Sequence, residues 1–447
     1  LVGGVELPLG DKFKLEGSAV YSKGTENWPL RNTIDVRSSQ SLPVNFNYAT
    51  PYFPTFDFGL GWGQWPTDKS TWQLFRFNYE TSYVEEVTKT ARLDLTWKHE
   101  LFGRPVSFKI GGKATNRRKF VDDMAQRYLT VAPRPTLASI PASTGGVPLG
   151  VDYSSYRDMG DYLDGRYGYG PIPSVSAVEA FFAATRPAWA GFIAGGNSIW
   201  SHQLAGSFGA SNEDDYDMTE KINATYLRSD LAVNDKVTLL GGLRVEWTDG
   251  TILSNAQVSG PGGALGVEPT SGGKSYTNTM PNLQFRYEAT KRLLVRGAAS
   301  FTLSRPDFVD MAPNAVLSYL DADGDGAFEG SLQIGNPALK PYESLNYDFS
   351  ADYYLPNSGI LSVGFFHKKI ENAIYEFREV LQNVSFNGRL FETLNRTMTL
   401  NAAPGNITGW EFTYQQNFTS LPSPFDGIGV AANYTLTSSS VRSLARS

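Results

Sequence analysis

Apolar and polar side chains alternate residue by residue over long stretches of this chain, and no other feature constrains its fold as strongly. From Leu345 to Leu355 the odd positions are apolar or aromatic, and the even positions up to 352 are Asn, Asp, Ser and Asp. A period of two belongs to a β-strand whose two faces meet different surroundings. The same alternation returns in stretches that begin near residues 13, 91, 106, 237, 283, 410 and 428.

Short turns and long connections alternate between these strands. Long connections are predicted over residues 23–84, 119–216, 250–275, 304–342 and 376–405. The short turns are rich in Gly, Pro, Asn and Asp and lie at residues 8–11, 101–105, 234–235, 290–292, 356–359 and 421–427. Structureless loops beyond about 15 residues are uncommon in compact soluble domains. Short turns on one side and long extracellular loops on the other are typical of membrane β-barrels.

The predicted strands are also long. They run for roughly 10 to 17 residues, against about 5–6 in an average soluble strand and about 9–11 in a strand that crosses a membrane. Tyr21, Trp97, Trp247, Tyr287 and Tyr353 lie near strand ends, where a barrel carries its interfacial aromatic residues. These features predict an all-β fold of about twelve strands, a large antiparallel transmembrane β-barrel with long extracellular loops and short periplasmic turns.

Composition and motifs exclude several functions. The formal net charge is −6 and the densest basic cluster is Arg117-Arg118-Lys119, so nucleic acid is not a predicted partner. That triplet is either a solvated strand end or a contact for anionic lipid headgroups. Cysteine is absent, and the three histidines are too far apart in sequence to form a metal-spaced pair. No phosphate loop, zinc pattern or Ser–His spacing occurs, so the chain is predicted not to be an enzyme.

An acidic loop is a candidate metal site. Asp321, Asp323 and Asp325 alternate ahead of Gly326, which allows a sharp turn, and Glu329 follows. Carboxylate oxygens at this spacing suit Ca²⁺, although the residue at the twelfth position of the EF-hand pattern is not Glu. The sequence predicts an optional extracellular Ca²⁺ and requires no other cofactor. A solvated acidic turn is the alternative.

Two stretches of the long connections are rich in aromatic residues. Flat aromatic rings stack on sugar rings, and neighbouring polar groups bind the hydroxyls. The candidate ligand-binding residues in these extracellular loops are Tyr52, Phe53, Trp62, Trp65, Tyr153 and Tyr156. Packing within the loops themselves is the alternative. The second connection also holds a predicted short helix over 175–186, with Val178, Phe181 and Phe182 on one face.

A series of short motifs occurs between residues 301 and 434. In order they are Ser304-Arg305-Pro306, Gly335-Asn336-Pro337-Ala338-Leu339-Lys340-Pro341, Gly364-Phe365-Phe366-His367-Lys368-Lys369-Ile370 and Gly409-Trp410-Glu411. This series resembles the barrel portion of the TonB-dependent receptor family. The resemblance implies a barrel of about 22 strands in the bacterial outer membrane, closed by an N-terminal plug. It also implies uptake driven by TonB, ExbB and ExbD with the proton gradient.

Residues 1–447 are therefore predicted to form one partial transmembrane β-barrel domain. The sequence shows no plug and no TonB box, so the N-terminal plug and the C-terminal closing strands are expected outside it. Charged residues on the polar faces of the strands are predicted to pair across neighbouring strands or to face the plug. They are Arg92, Asp94, Arg244, Glu246, Arg286, Glu288 and Arg296.

The functional hypothesis is an outer-membrane receptor for energised uptake of a bulky nutrient. A glycan or oligosaccharide is the first candidate because the loops are rich in Tyr and Trp, and a ferric siderophore is the second. The expected partners are outer-membrane lipid and lipopolysaccharide, the TonB–ExbB–ExbD system acting through the plug and, as an option, a surface lipoprotein. A passive porin-like channel and a surface β-barrel adhesin are the alternatives.

Overall fold

The computed structural model describes residues 1–41, 43–47, 49, 55–59, 70–138, 175–185, 199–212, 214–261, 265–321, 324, 326–356, 359–419 and 421–441. The chain divides into two compact units. Unit 1 comprises Leu1–Glu26, Val84–Asp122 and Glu213–Ser447, and unit 2 comprises Asn27–Tyr83 and Asp123–Asn212.

Strands dominate both units. They are β1 (Val2–Leu9), β2 (Phe13–Ser38), β3 (Asn45–Asn47), β4 (Thr55–Asp57), β5 (Trp72–Leu101), β6 (Arg104–Thr130), β7 (Trp200–His202), β8 (Tyr216–Ala232), β9 (Val237–Ser259), β10 (Leu265–Glu288), β11 (Leu293–Ser304), β12 (Ala315–Leu320), β13 (Phe328–Ile334), β14 (Tyr342–Leu355), β15 (Gly359–Glu371), β16 (Ile374–Phe386), β17 (Arg389–Asn401), β18 (Gly405–Asn417) and β19 (Gly429–Val441). The helices of the described residues are α1 (Val175–Thr185), α2 (Leu204–Asn212) and α3 (Phe308–Met311), and a 3-10 turn covers Phe425–Gly427. Within the described residues, no helix is long and apolar enough to cross a membrane.

Twelve of the strands follow one another as an antiparallel meander, in the order β1, β2, β5, β6, β8, β9, β10, β11, β14, β15, β18 and β19. Beside the start of β2, the backbone N–H of Lys98 on β5 donates to the carbonyl of Lys12 at 2.8 Å. Phe102 and Gly103, with φ of 53° and 71°, form the two-residue turn between β5 and β6. All six predicted short turns lie between consecutive strands of this meander.

The two faces of the meander differ in polarity, and burial is the reverse of that in a soluble sheet. Leu93, Leu243 and Leu283 are exposed on one face, here called the outer face. Asp94 and Glu246, their polar neighbours along the same strands, are buried on the inner face. Such a sheet is stable where its outer face meets hydrocarbon and its inner face meets water or protein. The alternation predicted from the sequence is confirmed.

Leu243→Arg is expected to destabilise the protein by about 2–4 kcal/mol, because it places a charge in hydrocarbon. Leu243 is the seventh residue of β9, so it lies on the outer face near the middle of the membrane-spanning part, and it is 46% exposed. Leu253→Arg is the matched control, since Leu253 lies on the same face and is 55% exposed but is farther from the turn. It should cost about 0–1 kcal/mol. Urea unfolding of the full-length protein in lipid vesicles measures both values, and two equally small costs would contradict a lipid-facing outer surface.

Two of the predicted long loops are β-hairpins instead. β9 and β10 remain paired as far as Ser259 and Leu265, so the loop predicted over 250–275 is wrong. β16 and β17 form a second hairpin where a loop was predicted over 376–405. β2, β5 and β6 also run for 26, 30 and 27 residues, beyond the predicted length. Outside the membrane a strand has no hydrocarbon on its outer face, so the apolar alternation ends although the backbone pairing continues.

The β12–β13 hairpin joins these two extensions through parallel pairing. Ala315–Ser318 of β12 runs parallel to Ala256–Ser259 of β9, and β13 runs parallel to β17. The core of this region consists of side chains that are at most 2% exposed, namely Leu317, Leu332, Phe391 and Leu394. Burying a leucine to this degree stabilises by about 2–5 kcal/mol relative to alanine, so the region has a substantial core of its own.

Unit 2 has a separate hydrophobic core built from long-connection residues. Helix α1 confirms the predicted helix, and Val178, Phe181 and Phe182 are all buried. They pack with buried side chains of the strands, namely Leu74, Phe77, Tyr128 and Trp200. The ring centroids of Phe77 and Phe182 lie 4.3 Å apart. Part of the long connection therefore folds on itself, as the packing alternative of the sequence reading proposes.

Candidate functional site

Asp94 lies at the centre of an ion-pair network on the inner face of unit 1. Its carboxylate lies 2.5 Å from Arg92 Nη2 and 3.2 Å from Lys109 Nζ, and it accepts a hydrogen bond from the Tyr226 hydroxyl. Gly111 faces this carboxylate at a position where a Cβ atom would collide with Asp94 and Tyr226. A buried carboxylate satisfied by three donors links β5, β6 and β8.

Several inner-face charges pair along their own strand, which differs from the predicted cross-strand pairing. Arg244 Nη2 lies 2.7 Å from Glu246, and Arg286 Nη1 lies 2.6 Å from Glu288. Residues two apart share one face of a strand at about 7 Å, which an arginine side chain spans. Arg296 pairs with a carboxylate of β14 and fits the prediction.

Arg305 follows directly after β11 and attaches this part of the chain to the inner face of the sheet. Its Nη2 atom donates to Glu246 Oε2 at 2.6 Å and to Thr248 Oγ1 at 3.1 Å, and its Nε atom lies 3.6 Å from Glu220. The side chains of Glu220 and Glu246 are only 4% and 10% exposed. One guanidinium group therefore compensates two buried carboxylates from β8 and β9. The sequence reading missed this role of the Ser304-Arg305-Pro306 motif.

Residues 305–341 are here called the covering segment, and its two ends pack onto the inner face beside Arg305. The side chains of the covering segment that are buried here are Phe308, Met311, Ala312 and Leu339, whereas Leu317 and Leu332 of its β12–β13 hairpin belong to the separate core described above. Their partners on β6, β8 and β9 are Val121, Tyr216, Met218 and Ile252. The Arg117 guanidinium carbon lies 4.3 Å from the centroid of the Phe308 ring, a favourable cation–π distance. The protein's own chain therefore occupies this part of the inner face.

The Asn336-Pro337-Ala338-Leu339 motif fixes the return of the covering segment. Asn336 Nδ2 donates to the Thr399 carbonyl of β17 at 3.0 Å, and its Oδ1 accepts from the Ala338 N–H at 2.9 Å. Pro337 lies against Gly272 of β10, where a Cβ atom would collide with the proline ring. Leu339 is 1% exposed. The motif thus attaches the segment to two strands and explains why these residue types occur together.

The candidate ligand-binding residues of the aromatic loops all lie outside the described residues and stay predictions. They are Tyr52, Phe53, Trp62, Trp65, Tyr153 and Tyr156. The described part of unit 2 contains a different candidate group, which the sequence reading missed.

This group is a cationic cluster around Phe75. The guanidinium carbons of Arg37 and Arg134 lie 3.5 Å and 4.9 Å from the Phe75 ring centroid. Asp35 lies 3.0 Å from Arg37 and 3.1 Å from Arg76. Arg37 and Arg76 share this one carboxylate, and Arg134 has no ion-pair partner among the described residues. The positive charge of the described cluster is therefore only partly compensated and suits an anionic ligand. Its members come from three separate parts of the chain, so their spacing in sequence gives no signal.

The candidate calcium loop is described only in part. Asp321 and Glu329 are described, whereas Asp323 and Asp325 are not. The carboxylate of Asp321 accepts hydrogen bonds from the backbone N–H groups of two loop glycines at 2.6 Å and 3.2 Å. In the described part of the loop and elsewhere in the described chain, no three His, Cys, Asp or Glu side chains are placed to hold a metal ion. The calcium site stays a prediction.

One Ser–His contact occurs in unit 2, although the sequence spacing suggested none. Ser207 Oγ lies 3.1 Å from His202 Nε2. The same oxygen accepts the backbone N–H of Arg127 at 2.8 Å, and Ser207 is buried. Burial also lowers the pKa of His202, which favours the neutral ring. The contact therefore serves as packing between α2 and β6.

An exposed apolar outer face, a buried charged inner face and short turns that alternate with long extensions define a membrane β-barrel protein. A family model described as TonB dependent receptor-like, beta-barrel matches residues 26–446. The chain belongs to the TonB-dependent receptor family, whose members are outer-membrane transport proteins. The predicted family, fold class and outer-membrane localisation are confirmed.

Several solved receptor structures are similar to this chain. The closed form of the ferric-catecholate import receptor Fiu from E. coli K12 is 12% identical, with 99% of this chain and 47% of that chain covered and a TM-score of 0.49. The unliganded ferric citrate transporter FecA is 10% identical, with 99% of this chain and 42% of that chain covered and a TM-score of 0.47. The siderophore receptor PiuA from Acinetobacter baumannii is 12% identical, with 99% of this chain and 46% of that chain covered and a TM-score of 0.46. The chain spans about half the length of these structures. No curated protein matches it.

Proposed function

We propose that this chain is the barrel part of a receptor that imports a bulky nutrient with energy from the proton gradient and catalyses no reaction. The covering of the inner face by residues 305–341 carries this proposal. A passive porin has a water-filled interior. Here Phe308 and Leu339 occupy the inner face, and Arg305 holds their segment in place. Displacing such a segment requires energy, which TonB, ExbB and ExbD supply in this proposal.

The contact with TonB is proposed to be made through a plug domain. The inner face near the short turns carries a cavity of 470 Å³ that would receive part of it, lined by Arg286, Arg296, Asp348 and Glu411 among others. Within the described residues, Asp348 and Glu411 have no ion-pair partner, so they remain available to a polar protein surface.

Uptake by intact cells tests this function. The full-length receptor is produced in a receptor-deficient strain, with and without TonB. The probes are a radio-iron tris-catecholate complex and a fluorescent neutral oligosaccharide. One probe should accumulate, and accumulation should stop when TonB is absent or an uncoupler is added. Accumulation that persists under both conditions would favour the passive channel, and binding without accumulation would favour the adhesin.

Two substrate classes are proposed, each from a different feature. A glycan, received with or without a surface lipoprotein, is supported by the aromatic residues of the loops near 46–72 and 150–170. An anionic chelate such as a ferric siderophore is supported by the cationic cluster around Phe75. The second class has the stronger structural argument, because its residues are described and their charges are only partly compensated.

Arg37→Ala and Arg134→Ala are each expected to weaken binding of the anionic probe by about tenfold, because a charge-assisted contact is lost. Neutral oligosaccharide binding should not change. Arg378→Ala is the matched control, since Arg378 is 77% exposed and pairs with Glu376 at 2.8 Å in unit 1. Equilibrium binding to the full-length receptor measures the effect. Unchanged affinity for the anionic probe in both variants would remove the cluster from the binding site.

A further inference from the structure

Two lysines lie close together where the covering segment returns to the sheet. Lys274 Nζ on β10 donates a hydrogen bond to the carbonyl oxygen of Ala338 in the covering segment. Lys340 follows Ala338 by two residues, and its ammonium charge acts on Lys274. Lys274 also follows Gly272 by two residues on the same strand, and Pro337 lies against Gly272. The pair therefore belongs to the inner face.

Backbone contacts hold both lysines in place. Asn401 Oδ1 accepts the backbone N–H of Lys340 at 2.9 Å, and Asn401 Nδ2 donates to the Lys340 carbonyl at 3.0 Å. Lys274 pairs with Gly250 in the β9–β10 ladder. Lys340 is exposed and Lys274 is half-buried, so a small solute can reach the pair from solution.

No carboxylate of the described residues compensates these two charges. Burial lowers the pKa of Lys274, and the neighbouring ammonium group of Lys340 lowers it further. Among the described residues neither lysine has an ion-pair partner. Lys109 of the inner face differs, since its Nζ atom lies 2.6 Å from Glu16. The repulsion between two uncompensated ammonium groups opposes the attachment of the covering segment at this point.

We infer that Lys274 and Lys340 bind an inorganic oxyanion such as phosphate or sulfate, which fastens the returning end of the covering segment to β10. The two ammonium groups donate charge-assisted hydrogen bonds to separate oxygen atoms of one anion. One lysine belongs to the sheet and the other to the covering segment, so the bound anion favours the attached state. The anion is a regulator of the covering segment and not the transported nutrient, so a failed test here leaves the proposed import function unaffected.

Hydrogen–deuterium exchange of the full-length receptor in detergent tests the inference. Inorganic phosphate is the probe, and sodium chloride at equal ionic strength is the reference. Phosphate at about ten times its dissociation constant should slow exchange in residues 335–341 about tenfold, because only the attached state binds the anion. Sulfate should act in the same way. Calorimetric titration of phosphate supplies the dissociation constant.

Two substitutions of Lys340 separate anion binding from general stability. Lys340→Ala keeps the hydrogen bond from Lys274 to Ala338. It should abolish the response to phosphate, and exchange without phosphate should be no faster than in the wild type because the repulsion is also removed. Lys340→Glu places a carboxylate beside Lys274, so it should slow exchange without phosphate about two- to fivefold and should not respond to phosphate. Lys291→Ala, which changes an exposed lysine in the short turn after β10, is the control and should respond as the wild type does.

The outcomes decide between an anion site and an unoccupied pair of lysines. Heat-dependent gel mobility of each variant shows that its barrel is folded. A response to phosphate and sulfate that is lost in both Lys340 variants and kept in Lys291→Ala supports the site. Equal exchange in phosphate and chloride would overturn it, as would an undiminished response in Lys340→Ala. Faster exchange of Lys340→Glu in the absence of phosphate would show that repulsion between the lysines does not oppose attachment.

Discussion

Replacing Arg305 with alanine is expected to lower the free energy of unfolding by about 3–5 kcal/mol. Arg305 is the shared partner of Glu220 and Glu246, whose side chains are nearly inaccessible to solvent. Among the described residues, removing the guanidinium leaves Glu220 with no ion-pair partner and leaves only Arg244 beside Glu246. The cost arises chiefly from an uncompensated charge in a buried position. The urea midpoint and slope for the full-length receptor in detergent micelles measure it.

Two further variants show whether charge burial is the cause. Arg286→Ala removes a pair with Glu288 in which both side chains are about half exposed, and it should cost about 1 kcal/mol or less. Combining Arg305→Ala with Glu220→Gln and Glu246→Gln should recover a large part of the lost stability. If Arg305→Ala costs no more than Arg286→Ala, the proposed attachment of the covering segment is wrong.

Leu339→Ala is expected to release the covering segment, at a cost of about 2–5 kcal/mol. Leu339 is 1% exposed and packs with Phe308 and Met311, so truncation leaves a cavity at the point where the segment returns to the sheet. Hydrogen–deuterium exchange should accelerate in residues 305–341, because these amides depend on local opening. The pairing of β14 with β15, which lies outside the segment, should keep its protection.

Leu320→Ala is the matched control for this prediction. It is the same chemical change within the covering segment, but Leu320 is 54% exposed. Its effect should be within about 0.5 kcal/mol and should leave the exchange of the segment unchanged. Similar exchange in the two leucine variants would show that burial of Leu339 does not hold the segment.

The sequence predicts the structure best where the polarity of the side chains alternates with the same period as the backbone of a strand. Within the membrane the alternation of residues such as Leu93 and Asp94 follows the strand period, so both the strands and their faces were predictable. Beyond the membrane, apolar residues of β9 such as Ile252 and Leu253 are adjacent and β10 is rich in Gly, Ser and Thr, so the alternation disappears while the hydrogen-bonded ladder persists. The six short turns were predictable because the backbone preferences of Gly, Pro, Asn and Asp favour turns whatever the rest of the fold.

The candidate site was less predictable because its members are distant in sequence. Arg305 meets Glu220 and Glu246 only after three strands have paired, and no spacing rule relates these positions. The motif around Asn336 indicated the protein family, but the sequence alone did not show what the motif does in the structure. Its function in the fold became clear from Pro337 against Gly272 and from Asn336 bound to Thr399.

Planar-bilayer recording of the full-length receptor tests the covered inner face most directly. The wild-type protein should show no stable ohmic conductance, because the covering segment occupies the interior together with the proposed plug. Arg305→Ala and Leu339→Ala should each raise the frequency of transient openings above the wild-type level. A steady, ion-permeable pore in the wild-type protein would contradict the account and would favour the passive channel.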